Sequence, residues 1–234
     1  MRQPSQWQAW VAKPQALVGE LEMDLSHVPA MARRRLGPLA KMAVVVADDV
    51  LAQAHQRDLP VVWVSRYGDS EKSLQLLRAH VGGEPLSPTA FALSVHNGIG
   101  AQYSILRGMV SNAVCVASSA AAPEAGIVEA MGLLQEGAPE VMLVCYDECL
   151  PGEYAQFDDA SAADFAWAVL ISARPAMSPG FALLRGNPPV AAVQGDGMLP
   201  HALQVLRFLL DPAQAGLSHA AGAGCAWTWE RVHG

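Results

Sequence analysis

The sequence predicts a layered α/β domain in which helices cover both faces of a mixed, largely parallel sheet. Segments whose apolar residues recur at helical spacing alternate along the chain with short apolar runs that are typical of strands. Two of these runs, 141–146 and 165–172, are continuously apolar except for the final Ser172, as expected for strands buried on both faces. The 234 residues are 52% hydrophobic, which is enough to form one domain with a large core.

The first predicted elements are a helix, a strand and a second helix. Residues 31–53 place apolar side chains at helical spacing despite a run of β-branched valines. The apolar segment 60–65 (PVVWVS) predicts a strand, and residues 70–79 predict a short helix. Gly82 and Gly83 then end that helix, because neighbouring glycines favour a turn.

A third helix is predicted to begin near Ser87 and to end near Gly108. Ser87 is a favourable N-cap residue, and Pro88 fits the first turn, where a helix needs no backbone N–H. The apolar face of this helix comprises Phe91, Val95, Ile99 and Leu106.

The following segment predicts a strand, a helix and another strand. Residues 112–119 (NAVCVASS) predict a buried strand, and residues 123–136 predict a helix that ends at Gly137. The apolar run 141–146 (VMLVCY) completes the unit. This order of elements favours a sheet whose strands are mostly parallel.

Beyond Ala173 the pattern weakens into proline and glycine, with one helix predicted at 201–210 and one short strand at 224–232. We therefore expect a single domain over residues 1–234. Its core would span about 31–173, and residues 174–234 would form a divergent carboxyl-terminal extension.

Charge and hydropathy argue against several functions. The net charge of -7 and the pI near 5.4 leave no basic stripe, so no nucleic-acid partner is expected. No apolar run approaches the roughly 18 to 20 residues of a membrane span. The first residues (MRQPSQWQAW) lack the apolar core of a signal peptide, so we expect a cytoplasmic protein.

The dense positive run in the chain is Arg33, Arg34 and Arg35. Such a run is typical of a solvated helix face or helix end. It is also compatible with a docking patch for an acidic carrier protein, and both interpretations stay open.

The four cysteines, Cys115, Cys145, Cys149 and Cys225, have irregular spacing. No second pair of cysteine or histidine residues completes a zinc-like arrangement, so neither a metal site nor a cofactor is predicted. We expect Cys115 and Cys145 to be small core residues on strands, without disulfides.

The junction between the predicted strand 112–119 and the helix from Pro123 consists of alanines, residues 120–122. An enzyme would place its reactive group at such a junction. The amino terminus of the helix lowers the pKa of a cysteine and stabilises developing negative charge. Alanine can do neither. The sequence therefore indicates a protein that shapes or supports a reaction carried out elsewhere.

Residues 87–172 resemble the amino-terminal half of a β-ketoacyl synthase, the condensing enzyme of fatty acid and polyketide synthesis. The likeness rests on three stretches. They are SPTAFALSVHNGIGAQYSILRG, which resembles the helix before the nucleophile strand; NAVCVASSAAAPEAGIVEAMGLLQEGAPEVMLVCYDE, which resembles the strand, elbow, helix and next strand; and FDDASAADFAWAVLIS, which resembles the close of the first half. The resemblance implies an α/β, thiolase-like fold.

The resemblance places Ala120 where active members of the family carry their nucleophilic cysteine. The spacing forward from Asn97 and back from Gly137 gives the same register. Active members also need two catalytic histidines in a second thiolase half, which we expect this chain to lack. The remaining histidines of the carboxyl-terminal part, His201, His219 and His233, lie outside the histidine motifs of the family and are expected to be surface or structural residues.

A ketosynthase-like chain without its nucleophile resembles the chain-length factors, which pair with an active ketosynthase. The short form resembles the chain-length-factor-like subunit of aryl polyene pigment clusters in Gram-negative bacteria. The resemblance implies a catalytically silent subunit in a heterodimer with an active β-ketoacyl synthase. The growing chain, tethered to an acyl carrier protein, would lie in a tunnel near the interface.

Two groups of site residues follow from this resemblance. In thiolase-type dimers the strand before the elbow pairs with its counterpart in the partner, which gives the interface candidates Asn112, Val114, Val116 and Ser118. The helix before that strand would line the acyl tunnel, which gives the tunnel candidates Phe91, Ser94, Val95 and Gly98. Ordinary core packing is the alternative for the tunnel candidates. For His96 and Asn97 we expect a helix cap or a buried hydrogen bond.

Two other functions remain open from the sequence. A small thiolase-like acyltransferase or hydrolase would use Ser118, Ser119 or Cys115. However, the segment VASSAAA lacks the glycine-flanked elbow of α/β-hydrolases, and alternation along a strand points Ser118 and Ser119 to opposite faces. The other possibility is a homodimeric scaffold without an acyl ligand.

Overall fold

A computed structural model describes residues 4–15, 23–118, 121–158, 163–173, 180–187, 199–220 and 225–232. The helices are α1 (Pro4–Ala12), α2 (Ala30–Arg33), α3 (Pro38–Leu51), α4 (Ser70–Val81), α5 (Pro88–Leu93), α6 (Gly98–Arg107), α7 (Ala122–Gln135) and α8 (His201–Leu210). The strands are β1 (Val61–Val64), β2 (Ala113–Val116), β3 (Glu140–Asp147), β4 (Phe165–Ser172), β5 (Gly180–Gly186), β6 (Gly216–Ala220) and β7 (Ala226–Val232). A short 3-10 turn spans Ala155–Phe157.

The main sheet has the strand order β2-β1-β3-β4. Strand β1 runs parallel to both β2 and β3, with Val62 opposite Val114 on one side and Leu143 on the other. Strand β4 pairs antiparallel with β3 along its full length. The predicted mixed, largely parallel sheet is therefore confirmed.

Helices cover both faces of this sheet, because side chains alternate between faces along each strand. Val62 and Val64 face α7, where they share a core with Leu143. Val61 and Trp63 face α3 and α6 and pack in a second core. Both cores are almost free of solvent, so the layered arrangement predicted from the sequence is confirmed.

Two glycines allow the helices to approach the sheet closely. A Cβ atom at Gly100 would lie 2.8 Å from Cδ1 of Trp63, and one at Gly126 would overlap the side chain of Val64. Helices α6 and α7 therefore sit nearer to β1 than side chains at these positions would permit.

The carboxyl-terminal part forms a second, antiparallel sheet in the order β5-β7-β6, together with α8. Leu203, Phe208 and Trp229 from this part are fully buried in the same core as Ile127 of α7. Helix α1 also packs against this core, through Trp10. Residues of the extension thus cover the outer side of α7.

Six predicted elements are found with shifts of at most two residues at either end: β1, α4, α7, β3, β4 and α8. Strand β2 is confirmed over Ala113–Val116, and β7 over Ala226–Val232, both shorter than predicted. The sequence did not predict α1, β5 or β6.

Two predicted helices are each broken into two. The first divides into α2 and α3, because Gly37 is extended (φ -68°, ψ 173°) and Pro38 begins a new helix. The second divides into α5 and α6 at residues 94–97, and Gly98 starts the new helix. Continuous apolar spacing concealed both breaks. No helix of the described residues is long and apolar enough to cross a membrane.

Candidate functional site

The carboxyl ends of β1, β2 and β3 meet at one edge of the sheet, because the three strands are parallel. In open α/β sheets, ligands bind at this edge. Ser65 follows β1, Ser118 lies just beyond β2, and Asp147 ends β3. The predicted junction between β2 and α7 therefore lies at the edge where a site is expected.

The junction itself links β2 to the first turn of α7. Helix α7 begins at Ala122 after Ala121, whose side chain cannot cap it, and Pro123 occupies the first turn. Ser118 is half-buried, whereas Ser119 and Ala120 lie outside the described residues. The strand-to-helix turn is thus present, and the assignment of Ala120 to the nucleophile position stays a prediction.

Asp147 organises the loop after β1. Its Oδ1 accepts hydrogen bonds from the hydroxyl of Ser65 (2.7 Å) and from the backbone N–H groups of Arg66 (2.9 Å) and Tyr67 (3.3 Å). The Ser65 oxygen in turn accepts from the N–H of Gly68 at 2.7 Å. Burial raises the pKa of the Asp147 carboxyl above its usual value, although these hydrogen bonds oppose the shift. The network holds the loop in one shape.

His96 continues this network. Its Nε2 lies 3.0 Å from the carbonyl oxygen of Ser65, which can only accept, so Nε2 carries the proton. The predicted hydrogen bond is therefore found for His96, although it is only partly buried. Asn97 occupies the N-cap position of α6, as one of the two predicted roles requires, but its side chain makes no capping hydrogen bond.

The four tunnel candidates do not share one cavity. Phe91 and Val95 are exposed, at 64% and 48% of their surface. Ser94 bonds back to the carbonyl of Phe91, and Gly98 is buried so tightly that a Cβ would lie 2.7 Å from the carbonyl oxygen of Leu93. Phe91 and Val95 are thus open to solvent in this chain alone, and their role in a tunnel stays a prediction.

An apolar groove lies on another side of α5 and α6. Its volume is about 430 Å³, and the helix α2 region forms its far wall. The lining includes Leu36, Leu93, Ile105 and Leu106. None of the four tunnel candidates lines it.

Strand β2 is the edge of the sheet nearest the junction, and it pairs only with β1 in the described part of the chain. The N–H groups of Val61 and Ser65 donate to the carbonyls of Asn112 and Val116. In a parallel ladder, residues 112, 114 and 116 therefore direct their backbone groups toward β1, and the alternate residues direct theirs away from the sheet. Ala113 and Cys115 thus present unpaired N–H and C=O groups at this edge.

The side chains of the interface candidates are arranged differently. Val114 and Val116 are half-buried and pack against the core beneath α7. Asn112 is exposed and Ser118 is half-buried. In the described part of the chain, the groups of β2 that are open to pairing are therefore mainly the backbone groups of Ala113 and Cys115. The sequence pattern alone did not show which residues of this strand face away from β1.

For Cys115 and Ser118, the two candidate nucleophiles that the structure describes, no activating partner is found among the described residues. Burial raises the pKa of the Cys115 thiol to about 11, so almost none of it is thiolate near neutral pH. Cys145 is fully buried on β3, as predicted, and burial also raises its pKa. Among the described residues, no hydrogen bond joins the Ser118 hydroxyl to a histidine.

An acidic neighbourhood lies beyond β3. Glu148 follows directly after this strand, and burial raises the pKa of its carboxyl to about 7. The negative charges of Asp69, Asp164 and Glu71 add to this shift. No cluster of three potential metal ligands occurs among the residues that the structure covers.

One buried polar cluster was missed in the sequence. Glu124, in the first turn of α7, is fully buried, and its Oε1 accepts hydrogen bonds from Nε2 of His201 (2.6 Å) and Nε1 of Trp229 (2.8 Å). The ring of His219 stacks on His201 at 3.6 Å. The expected structural role is thus confirmed for His201, while His233 lies outside the described residues. No local sequence signal could have linked Glu124 to residues 77 and 105 positions later.

The three arginines lie where α2 ends, at Arg33, and in the turn after it. All three are exposed, which matches the predicted solvated helix end. Arg35 also borders the apolar groove. A docking role for this run stays a prediction.

The profile of a protein family described as "Beta-ketoacyl synthase, N-terminal domain" matches residues 7–230. No curated protein sequence matches the chain significantly.

Among solved structures, the chain is similar to a chain of the complex between the ketosynthase ApeO and its chain length factor ApeC from Xenorhabdus doucetiae. The two chains are 27% identical over 99% of this chain and 94% of that chain, with a TM-score of 0.80. A chain of the ishigamide ketosynthase/chain length factor is 13% identical over 98% and 95%, with a TM-score of 0.68. A β-ketoacyl synthase from Burkholderia phymatum is 14% identical over 66% of this chain and 42% of its own length, with a TM-score of 0.52.

Proposed function

Because this chain belongs to the β-ketoacyl synthase family, through its amino-terminal domain, we propose that it is a chain length factor. In this role it pairs with an active β-ketoacyl synthase and shapes the space in which the partner extends an acyl chain. The reaction itself is carried out by the partner.

One observation carries the proposal. The similarity to a chain of the Xenorhabdus ketosynthase and chain length factor complex extends over almost the full length of both chains. The Burkholderia β-ketoacyl synthase is instead matched over less than half of its length. The given sequence therefore corresponds from end to end to a chain of the paired system, which supports the proposal.

The chemistry of the junction supports a catalytically silent subunit. Decarboxylative condensation needs a thiolate that holds the acyl chain and donors that stabilise the developing charge. The resemblance to the family puts Ala120 at the position of that thiolate. Cys115, the nearest thiol along the chain, is held in its neutral form by burial. The chain then contributes shape, and no covalent step.

The heterodimer forms at the β2 edge. Backbone groups of Ala113 and Cys115 are free to pair with a strand of the partner, and Phe91 and Val95 are exposed at the residues expected to line the tunnel. A partner that covered these side chains would complete an enclosed apolar space, whose volume would limit chain length by steric exclusion. This accounts for tunnel candidates that enclose nothing in the single chain.

The acyl chain is an aryl polyene intermediate that an acyl carrier protein delivers in the cytoplasm. Support for the pathway comes from the resemblance to the short chain-length-factor-like subunits of aryl polyene clusters. The carrier is expected to be acidic, and the exposed run Arg33, Arg34 and Arg35 offers it complementary charge.

The test is co-expression with the ketosynthase from the same gene cluster, then size-exclusion chromatography and a condensation assay with malonyl carrier protein. We expect a one-to-one complex that condenses, while this chain alone is inactive. Ala120→Cys should not make the lone chain active, since the other catalytic groups are missing. The proposal fails if the chain alone turns over acyl thioesters, or if it forms only homodimers and binds no ketosynthase.

A further inference from the structure

A single buried carboxylate joins α7 to the carboxyl-terminal part of the chain. Glu124 is fully buried, and its Oε1 accepts from His201 at the start of α8 and from Trp229 of β7. Its Oε2 has no hydrogen-bond partner in the described part of the chain. The hydrogen bonds that Glu124 receives from other side chains therefore both come from the carboxyl-terminal part.

The charge at this position is stabilised by its two donors. Burial opposes ionisation of Glu124, but the hydrogen bonds from His201 and Trp229 outweigh it and hold the pKa of the carboxyl below its usual value. A buried carboxylate without such donors would be strongly unfavourable. The buried charge of Glu124 therefore depends on its hydrogen bonds from His201 and Trp229.

No side chain of the described residues caps the start of α7. Glu124 is the third residue of the helix, where a glutamate often reaches back to the N-cap residue. Here the N-cap residue is Ala121, whose side chain makes no capping bond, and Glu124 turns to the opposite side. On the sheet side, Gly126 fits closely against Val64. The first turn of α7 is therefore held between the sheet and the carboxyl-terminal part.

The two donors are themselves fixed in place. His219 of β6 stacks on His201 with an angle of 16° between the ring planes. The Trp229 ring packs between Phe181, at 5.3 Å, and Phe208, at 5.9 Å. Because the donors cannot move freely, they define where the Glu124 carboxylate lies, and hence where the helix begins.

We propose that Glu124 is a positioning residue. Through His201 and Trp229 it fixes the first turn of α7, where the chain enters this helix from the β2 side, and so sets the length of the acyl chain that the partner makes. This inference rests on the proposed function, because the junction shapes an acyl site only in the complex. The fixing of the first turn itself can be measured without the partner.

The first experiment measures hydrogen exchange of residues 121–126 in the isolated chain. Glu124→Leu removes both hydrogen bonds, and we expect exchange in this first turn to become roughly tenfold faster or more, with α3 unchanged. Glu124→Gln keeps one acceptor oxygen and should have a smaller effect. Glu129→Gln, at an exposed position of the same helix, is the control and should change nothing.

The second experiment measures product lengths made by purified one-to-one complexes. Glu124→Leu should broaden or shift the distribution, and Trp229→Phe, which deletes one donor but keeps an aromatic ring, should do so less. The double variant should deviate less than the sum of both, since it leaves one fewer buried donor unpaired. A merely structural role would lower the yield of complex without changing product lengths.

The outcomes separate the two proposals. Unchanged exchange at 121–126, or unchanged product lengths in complexes that form normally, overturns the positioning role. If Glu124→Leu does not fold, the same two measurements on Trp229→Phe and Glu124→Gln decide the matter, because each retains part of the cluster. Failure of the wild-type chain to pair or to support condensation overturns the proposed function. The exchange experiment on the isolated chain would still test whether Glu124 fixes the first turn of α7.

Discussion

The β2 edge allows a test in which one backbone N–H is removed. In Ala113→Pro the lost N–H is one that points away from β1, so the ladder between β1 and β2 stays intact. Proline is tolerated at the first residue of an edge strand for the same reason. The side chain of Ala113 is exposed, so the fold should be affected little. The variant therefore probes pairing with another chain.

The expected loss follows from the hydrogen bond that the partner strand can no longer make. One backbone hydrogen bond contributes about 1 kcal/mol net, and a carbonyl left buried without a donor costs about 1 to 3 kcal/mol. A total of about 2 to 4 kcal/mol corresponds to a dissociation constant raised roughly 30- to 700-fold, since 1.4 kcal/mol is a factor of ten. The proline ring would also occupy space that the partner strand needs.

The assay is isothermal titration of this chain with its ketosynthase partner, together with thermal unfolding of each isolated variant. Ala113→Ser is the matched control, because it keeps the N–H and should bind like the wild type. The reasoning is refuted if Ala113→Pro binds as tightly as Ala113→Ser while both unfold at the wild-type temperature. In that case the partner does not pair with the β2 edge.

Four further predictions concern the stability of the fold. Gly126→Ala should lower the free energy of unfolding by about 1 to 3 kcal/mol, because its Cβ would overlap Val64. Gly132→Ala, on the same helix but facing open space, should instead raise it by about 0.5 to 1 kcal/mol, which chemical denaturation would detect. Glu148→Gln should raise the melting temperature near pH 8 and leave it unchanged near pH 4. The folded-state pKa of about 7 lies above the ordinary value of 4.5, so the wild type loses stability as the pH rises between them. Equal pH profiles of the two proteins would contradict this. A chain ending at Ala173 should be unfolded in circular dichroism, because it lacks the buried side chains that cover α7; a stable, monomeric product would show that the extension is dispensable.

The main sheet could be predicted from the sequence because its signals are local. The run 141–146 is apolar at every position, and it became the central strand β3, buried from Val141 to Tyr146. Pro123 predicts the start of helix α7, and Gly137 predicts its end. The φ of 106° at Gly137 is one that glycine adopts readily. In both cases the chain near the element carries the information.

The features that were missed depend on contacts between distant residues. The apolar spacing of Phe91, Val95 and Ile99 suits one continuous helix, but Gly98 packs against the carbonyl of Leu93 and a new helix starts there. Strands β5 and β6 are short and join only through β7, so their own sequences give weak patterns. Pairing across many residues overrides local preference in such cases.

The candidate site divides in the same way. The strand and the helix on either side of the junction were predicted, because the flanking apolar runs are local. The groups that hold the loop after β1 and the first turn of α7 were not predicted, because Asp147 reaches its partners across 80 residues or more and Glu124 across 77 and 105 residues.

These two carboxylates bear on the difference between a shaping subunit and a decayed enzyme. Glu124 is fully buried and Asp147 is half-buried, which is unfavourable for a carboxylate unless donors compensate for it, and each receives at least two hydrogen bonds. Glu124 lies in the first turn of α7, directly after the turn in which the family resemblance leaves no nucleophile. A chain that had merely lost its activity would not need donors for either carboxylate, since apolar residues of similar size would serve the core as well. If the chain has the proposed function, a subunit that shapes an acyl tunnel needs this turn in a fixed position, and that requirement would account for the buried charge of Glu124.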